Sequence, residues 1–233
     1  MKGRIILVIG TIFMFALLSG IIGYITIGGP DLESAYHEGG VKITQTSIAG
    51  DVPHTVEVRN MGQRPVRVKT GTILLSEASG DLVTASSTEV APESSSEVFA
   101  YSLEPERRTM KGASLEPAGT VPSLMEDVLS SSNPEDPQDA FRTQLMIWVL
   151  SRGDKLNIYR GEVYATVKAR DMRFYQLRDN ITTVKSELAS EYGLTEEQLG
   201  EVNINSPLLN RTQSPFKLFS MLEGLRNRFG AIP

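Results

Sequence analysis

The sequence predicts an α+β protein with an N-terminal transmembrane helix, an antiparallel β-sandwich and a mainly helical C-terminal region. Residues 5–29 form an uncharged run. Short runs rich in Val, Ile and Thr then alternate apolar and polar residues as far as about residue 105, and later apolar residues recur at spacings of three and four. The expected parts are an anchor (1–30), a stalk (31–40), the β-sandwich (41–105), a linker or long loop (106–137) and a helical region packed on the sandwich (138–233).

The uncharged run is long enough to cross a membrane, because roughly 20 helical residues span a hydrocarbon core of about 30 Å. A secretory signal peptide has a shorter apolar part, of about 7 to 15 residues, before a small-residue cleavage site. No Ala-x-Ala pattern follows residues 5–29 here, which favours an uncleaved anchor and leaves cleavage open. Lys2 and Arg4 precede the run and acidic residues follow it, so we expect a single-pass cell-membrane protein with the N-terminus inside and the bulk outside.

Composition excludes several kinds of site. Beyond residue 30 the chain has 21 basic and 28 acidic residues, a net charge of −7, which offers no broad positive field for nucleic acid. The absence of cysteine excludes thiol catalysis and thiolate metal sites. His37 and His54 are the two histidines, too few for a His-rich metal centre. We expect no metal and no cofactor, and a structural role for both histidines is favoured over a place in a Ser-His-Asp triad.

The predicted β-sandwich rests on residues 55–59 and 65–69, where alternation is clearest, with Asn60-Met61-Gly62 as the turn between them. Repeated short strands with polar outer faces are typical of that fold. Residues 106–137 contain prolines and Ser-rich patches, which favours a flexible connection with one helical turn near residues 124–129.

The helical region begins at Pro137, after Asp136, and its first helix is expected to stop at Gly153. This helix is apolar almost all round, which indicates burial. Gln144 shares a face with Trp148, so we expect a buried amide with hydrogen-bond partners. Residues 163–169 fit either a strand or the first turns of a helix.

Three further helices are predicted after that segment. A long one starts near Asp171 and ends near Gly193, and Thr195 caps a short one. Ser214-Pro215 opens the last helix, which has an apolar stripe and is basic. Docking onto the domain is the favoured interpretation of this helix, and contact with a membrane surface or a partner helix is the alternative.

Two short motifs match the N-glycosylation acceptor pattern, at Asn180 and Asn210. Export would make their use feasible, although one such match is expected by chance. The sequence has no Gly-rich phosphate loop, no Gly-x-Ser-x-Gly elbow and no His-Glu-x-x-His pattern. Neighbouring carboxylates such as Glu126-Asp127 are expected to be solvated.

The stretches "EVFAYSLEP" and "FRTQLMIWVLS" resemble, in this order, the thioester-domain kind of bacterial and archaeal cell-surface protein. In that family a strand carries a cysteine and a Gln-x-x-Ile-Trp helix carries the glutamine of an internal thioester. Gln144, Ile147 and Trp148 match the helix motif, but Ser102 stands where the cysteine would be needed. The resemblance therefore implies no thioester chemistry. It implies that Gln144 and Trp148 make a structural contact between helix and sheet.

These observations favour a membrane-anchored, extracytoplasmic protein without catalytic activity that acts in binding or assembly at the cell surface. Its expected partners are the membrane, through residues 5–29, and a protein or envelope component. Two alternatives stay open. One is an extracytoplasmic hydrolase that depends on paired carboxylates, and the other is an accessory subunit of a surface filament or secretion machine.

Overall fold

The computed structural model describes residues 29–210. Nearly all of the predicted anchor and the whole of the last predicted helix lie outside this range. Among residues 29–210, none of the helices combines the length and the apolar character needed to cross a membrane. The described part is α+β, as predicted, with a β-barrel and several helices.

The strands are β1 (Val41–Gln45), β2 (His54–Asn60), β3 (Val66–Val68), β4 (Thr72–Leu75), β5 (Leu82–Thr84), β6 (Thr88–Val90), β7 (Ser94–Ser102) and β8 (Ser114–Thr120). The helices are α1 (Leu32–His37), α2 (Ser123–Ser131), α3 (Pro137–Arg152), α4 (Gly161–Ala169), α5 (Phe174–Tyr192) and α6 (Glu196–Glu201). Short 3-10 helices occupy Gly153–Lys155 and Pro207–Asn210.

Six antiparallel strands close into a barrel in the order β1-β2-β7-β5-β4-β8, and β3 pairs with β6 in a separate two-stranded sheet. The barrel closes because β8 pairs with both β1 and β4. Inward-facing residues alternate with outward-facing ones, as the period of a strand requires. The buried interior includes Ile43, Val56, Val58 and Leu115, and α1 adds Leu32.

The helices form a second core on the outer face of β5 and β7. Leu82 of β5 belongs to the barrel interior, whereas its neighbour Val83 packs among the helices. Ala100 and Tyr101 of β7 divide in the same way. Strands buried on both faces therefore join the two cores. At the centre of the helical core, α3 is buried along most of its length.

Three expectations about the parts of the chain differ from the structure: those for the β region, the linker and the stalk. The predicted sandwich is a closed barrel, because part of the expected linker (106–137) folds as β8 and completes it. The same segment also supplies α2, which includes the helical turn expected near residues 124–129 and is nine residues long. The predicted stalk (31–40) contains α1, whose first turn is capped by the Asp31 side chain. Residues 163–169, for which strand and helix were both open, belong to α4.

The helix boundaries predicted downstream agree more closely with the structure. Asp136 caps α3 by accepting hydrogen bonds from two backbone N–H groups of its first turn. Gly153 ends α3, and Gly193 ends α5 in the left-handed conformation, with φ of 64°. Thr195 caps α6 with a reciprocal Gln198 bond.

Candidate functional site

The predicted contact between helix and sheet is made by the Gln144 amide. Its Oε1 accepts the backbone N–H of Ser102 at 2.9 Å, and its Nε2 donates to the carbonyl of Ser102 at 2.8 Å. Gln144 is fully buried, so both ends of the amide are satisfied where water is excluded. The Ser102 hydroxyl lies 3.4 Å from the carbonyl oxygen of Glu104. Gln144 therefore meets the backbone of Ser102, the residue that stands at the cysteine position.

Trp148 lies one turn further along α3 and is fully buried in the helical core. Its indole Nε1–H has no hydrogen-bond partner among the described residues. The side chain therefore contributes through packing, and an unpaired buried donor lowers its net contribution to stability. Both predicted residues therefore lie inside the fold and have no exposed surface.

A buried polar network joins the barrel to α4 through Ser47, His54 and Glu162. Ser47 Oγ lies 3.0 Å from His54 Nδ1, and His54 Nε2 lies 3.2 Å from Glu162 Oε1. The second contact is close, but the Nε2–H direction does not meet hydrogen-bond geometry, so it is better described as an electrostatic contact. His54 and Glu162 have no exposed surface, and Ser47 is 7% exposed.

Glu162 also holds two loops against α4. Its Oε1 accepts the backbone N–H of Gly50 at 2.6 Å, and its Oε2 accepts the N–H and hydroxyl of Thr109 at 2.8 and 3.0 Å. The Gly50 loop connects β1 and β2, whereas Thr109 belongs to the connection between β7 and β8. One carboxylate thus links three separate parts of the chain.

Two glycines allow this close packing. Gly50 has φ of 93°, and a Cβ there would lie 2.6 Å from the carbonyl oxygen of Ala165. Gly161, at the start of α4, has φ of 64°, and its Cβ would lie 2.2 Å from the backbone of Glu106. A side chain at either position would meet both backbone strain and a backbone clash. The network therefore depends on direct contact between α4 and the two loops.

The ionisation of Glu162 follows from its surroundings. Burial acts to raise the pKa of the carboxyl, because it penalises the charged form. The adjacent His54 and the N–H groups of Thr109 and Gly50 outweigh burial and hold the pKa of Glu162 below its ordinary value. Glu162 is therefore a carboxylate at neutral pH.

The order Ser47–His54–Glu162 is that of a proton relay, but its placement favours a structural role. A serine nucleophile must reach a substrate carbonyl. The imidazole between the other two groups is fully enclosed, and Ser47 is itself buried. His54 was one of two histidines available to a triad on sequence grounds. Ser47 and Glu162 belong to no sequence motif and lie far apart in the chain, so the sequence carried no signal for this network.

A groove between α3 and α5 brings carboxylates together in a concave setting. It encloses about 450 Å³ and is lined in part by Asp139, Arg142 and Glu187. Arg142 lies 3.7 Å from Asp139 Oδ1 and 2.7 Å from Glu187 Oε2. Because one guanidinium contacts both acids, the pair is already engaged in ion pairs. Asn180, one of the two predicted glycosylation positions, lines this groove and is half-buried, whereas Asn210 is exposed.

A third feature combines cations and aromatic rings on the surface formed by α4 and the start of α5. We call it the cationic–aromatic surface, and its members are Arg108, Tyr159, Tyr164, Lys168, Phe174 and Arg178. These residues come from three segments of the chain, and no periodic pattern in the sequence groups them.

The rings of this surface form a continuous row. Phe174 lies 4.9 Å from Tyr159 and 6.1 Å from Tyr164, measured between ring centroids. Lys168 Nζ is 5.6 Å from the centroid of Tyr164, and Arg178 is 5.7 Å from that of Tyr159. Such distances are those of cation–π contacts.

Neither metal-binding groups nor comparisons with known proteins identify a further site in the part of the chain that the structure describes. Within residues 29–210, no group of three or more His, Asp or Glu side chains is arranged to hold a metal ion. Comparisons with protein families, curated proteins and solved structures find no match to this chain. The resemblance to thioester-domain proteins therefore rests on the sequence motif alone.

Proposed function

We propose that this chain is a non-catalytic binding or assembly protein of the cell surface, anchored in the membrane by residues 5–29 with its bulk outside. Lys2 and Arg4 precede the uncharged run and acidic residues follow it, and this charge asymmetry supports the orientation because basic flanks are retained on the cytoplasmic side. The observation that carries the proposal is the arrangement of the barrel. The chain enters the described region at one end, and the cationic–aromatic surface lies at the opposite end.

The chain enters the described region at one end of the barrel. The carbonyl of Pro30 accepts the N–H of Arg67 in β3. Asn60, at the end of β2, donates to the carbonyls of Arg64 and Val90 and so belongs to the same end. A membrane anchor that precedes Gly29 would therefore leave the barrel from this end.

The cationic–aromatic surface belongs to the opposite end. β2 begins at His54, which contacts Glu162 of α4, and it finishes at Asn60. Its seven residues separate the two ends by roughly 20 Å, at about 3.3 Å per residue. An N-terminally anchored chain would thus present its cations and rings away from the membrane.

The non-catalytic part of the proposal rests on the two acidic sites already described. Three carboxylates line the groove between α3 and α5. Those of Asp139 and Glu187 pair with Arg142, and that of Asp136 accepts the N–H groups at the start of α3. A glycosidase-type pair needs two carboxyl groups that flank the reacting bond, with one of them free to donate a proton. The Ser47–His54–Glu162 network is buried. The cationic–aromatic surface, by contrast, has exposed cations and an exposed ring, which suit binding.

Membrane topology can be tested with single cysteines, because the chain contains none. Lys111→Cys places a thiol at an exposed position, in the connection before β8. Gly3→Cys is the matched control on the other side of residues 5–29. A membrane-impermeant maleimide applied to intact cells should label Lys111→Cys alone, and both variants should react once detergent has opened the membrane.

Protection of Lys111→Cys in intact cells would overturn the extracytoplasmic assignment. Alkaline extraction of the same membranes tests the anchor. The full chain should remain in the pellet, with its N-terminal segment intact by mass spectrometry. A soluble chain that begins after residue 29 would show instead that the segment is cleaved.

A further inference from the structure

We propose that the cationic–aromatic surface binds an acidic polysaccharide, one whose sugar rings carry carboxylates. This inference deepens the proposed function, since it rests on the extracytoplasmic placement of that surface and names the class of ligand it takes. Three observations support this ligand: cations that form no ion pair within residues 29–210, a row of rings of which one is exposed, and distance from the end of the barrel where the chain enters.

The cations of the surface are available for an external anion. Arg108, Lys168 and Arg178 are exposed, and none of them takes part in the ion pairs of residues 29–210. They lie instead against aromatic faces, and Arg178 also donates to the Tyr159 hydroxyl. Cations kept free of carboxylates in an acidic protein indicate a surface on which an anionic ligand is electrostatically complementary.

The aromatic rings give this surface a preference for anions that also contain sugar rings, which charge alone would not provide. Tyr159 is 55% exposed, and the neighbouring Phe174 and Tyr164 are half-buried. The row therefore has one ring that a ligand can reach and two rings that are held in place by packing. Flat apolar rings with a hydroxyl at one edge suit a ligand that has both apolar faces and polar edges. Pyranose rings have C–H groups on their faces and hydroxyl groups at their edges. A carboxylated sugar chain therefore satisfies both the rings and the cations.

Two other polyanions fit the surface less well. Anionic lipid of the anchoring membrane would lie near the opposite end of the barrel, roughly 20 Å away along β2. That distance exceeds the Debye length of about 8 Å at physiological ionic strength. Nucleic acid usually requires an extended basic footprint. Here the exposed Asp171 and Asp179 follow Lys168 and Arg178 closely in the chain. These acidic residues interrupt the positive charge, so the basic area is too short for such a footprint.

Binding is tested with the full chain in a non-ionic polyoxyethylene detergent, by calorimetric titration with three probes. The probes are oligogalacturonate, a neutral dextran of similar length, and polyglutamate as an anion without sugar rings. We expect binding to oligogalacturonate, weaker binding to polyglutamate and none to dextran. Affinity for oligogalacturonate should fall as salt is added, because ion pairing between exposed groups is screened.

Two variants locate the ligand on the surface. The double variant Arg108→Glu/Arg178→Glu should weaken oligogalacturonate binding at least about ten-fold, since two attractive charges become repulsive. Tyr159→Ala removes the open ring and should weaken oligogalacturonate binding about five-fold or more, while affecting polyglutamate little. The matched control is Lys42→Glu/Arg59→Glu, which reverses two exposed cations that face each other on β1 and β2. This control should leave the affinity unchanged.

Each contrary result overturns a defined part of the proposal. Failure of oligogalacturonate to bind, or equal weakening by the control variant, would show that the cationic–aromatic surface is not its site. Polyglutamate that binds as tightly as oligogalacturonate, with no effect of Tyr159→Ala, would show a general anion surface without sugar recognition. The titration does not depend on topology. A protected Lys111→Cys together with specific oligogalacturonate binding would therefore refute the cellular location and leave the site intact.

Discussion

Replacing Glu162 by Gln should destabilise the fold strongly, because every carboxylate contact in the network has a donor as its partner. An amide nitrogen at the Oε2 position would face the N–H and hydroxyl of Thr109, and one at the Oε1 position would face Gly50 and His54. Either orientation turns the amide N–H toward a backbone N–H, that of Thr109 or that of Gly50, so at least one hydrogen bond to the carboxylate is lost and its buried donor is left unpaired. A hydrogen bond to a charged group contributes about 1.5–3 kcal/mol, so the free energy of unfolding should fall by roughly 2–4 kcal/mol.

The assay is urea unfolding of the full chain in detergent, followed by fluorescence. Trp148 is the single tryptophan and is fully buried, so its emission reports the helical core directly. The matched control is Glu187→Gln, which removes a charge from the partly exposed pair with Arg142. A pair of that kind contributes about 0–1 kcal/mol. A loss of less than about 1 kcal/mol for Glu162→Gln would refute the linking role of the carboxylate.

The same variant has a pH signature. The folded-state pKa of Glu162 is lowered, so the carboxylate stabilises the fold above the unfolded pKa of about 4.3. This stabilisation is lost as the pH falls through the folded-state pKa. The Gln variant has no such titration. The difference in the free energy of unfolding between wild type and Glu162→Gln should therefore narrow below about pH 4.3. A difference that stays constant from pH 7 to pH 3 would contradict the lowered pKa.

Three further predictions concern the other buried groups. Gln144→Ala should lower the free energy of unfolding by about 2–4 kcal/mol, because it leaves the N–H and C=O of Ser102 unpaired, whereas the exposed Gln138→Ala on the same helix should change it by less than about 0.5 kcal/mol. Trp148→Phe, followed by circular dichroism, should lower the free energy of unfolding by only about 1–2 kcal/mol, because the indole N–H has no partner among residues 29–210. A loss as large as the roughly 3–5 kcal/mol expected for Trp148→Ala would contradict the absence of a hydrogen bond to the indole. A fluorophosphonate probe should not label Ser47 in the folded chain, and labelling that disappears in Ser47→Ala would contradict the structural role of the network.

The sequence was informative wherever the signal was local. Helix ends at Asp136, Gly153 and Gly193 were predictable, because capping depends on neighbouring residues. The burial of Gln144 was also predictable, since it shares a face with apolar residues of α3. These features need no knowledge of distant parts of the chain.

The barrel was not predictable, because its closing strand lacks a strand-like sequence. β8 contains Pro117 and Gly119, which normally argue against a strand. It forms because it pairs with β1 and β4, which are distant in the sequence. The Pro-rich and Ser-rich composition around it therefore indicated a linker.

Residues 163–169 show how one pattern fits two structures. Their alternating Val and Ala residues satisfy a period of two, but the positions buried in α4 include Val163, Thr166 and Val167, which follow the helical period. At the start of α4, Glu162 accepts hydrogen bonds from loops about 50 and 110 residues away in the chain, contacts that a local pattern does not reveal. The cationic–aromatic surface is equally non-local, since its residues meet only after α4 and α5 have packed.

The most direct test of a binding surface that points away from the membrane is a distance measurement in cells. A dye attached through Lys111→Cys is compared with one attached through Met61→Cys, an exposed position at the end where the chain enters. Energy transfer to an acceptor in the outer leaflet should be clearly weaker from residue 111, which lies roughly 20 Å further along the barrel. Equal transfer from both positions, or stronger transfer from residue 111, would contradict the proposed orientation.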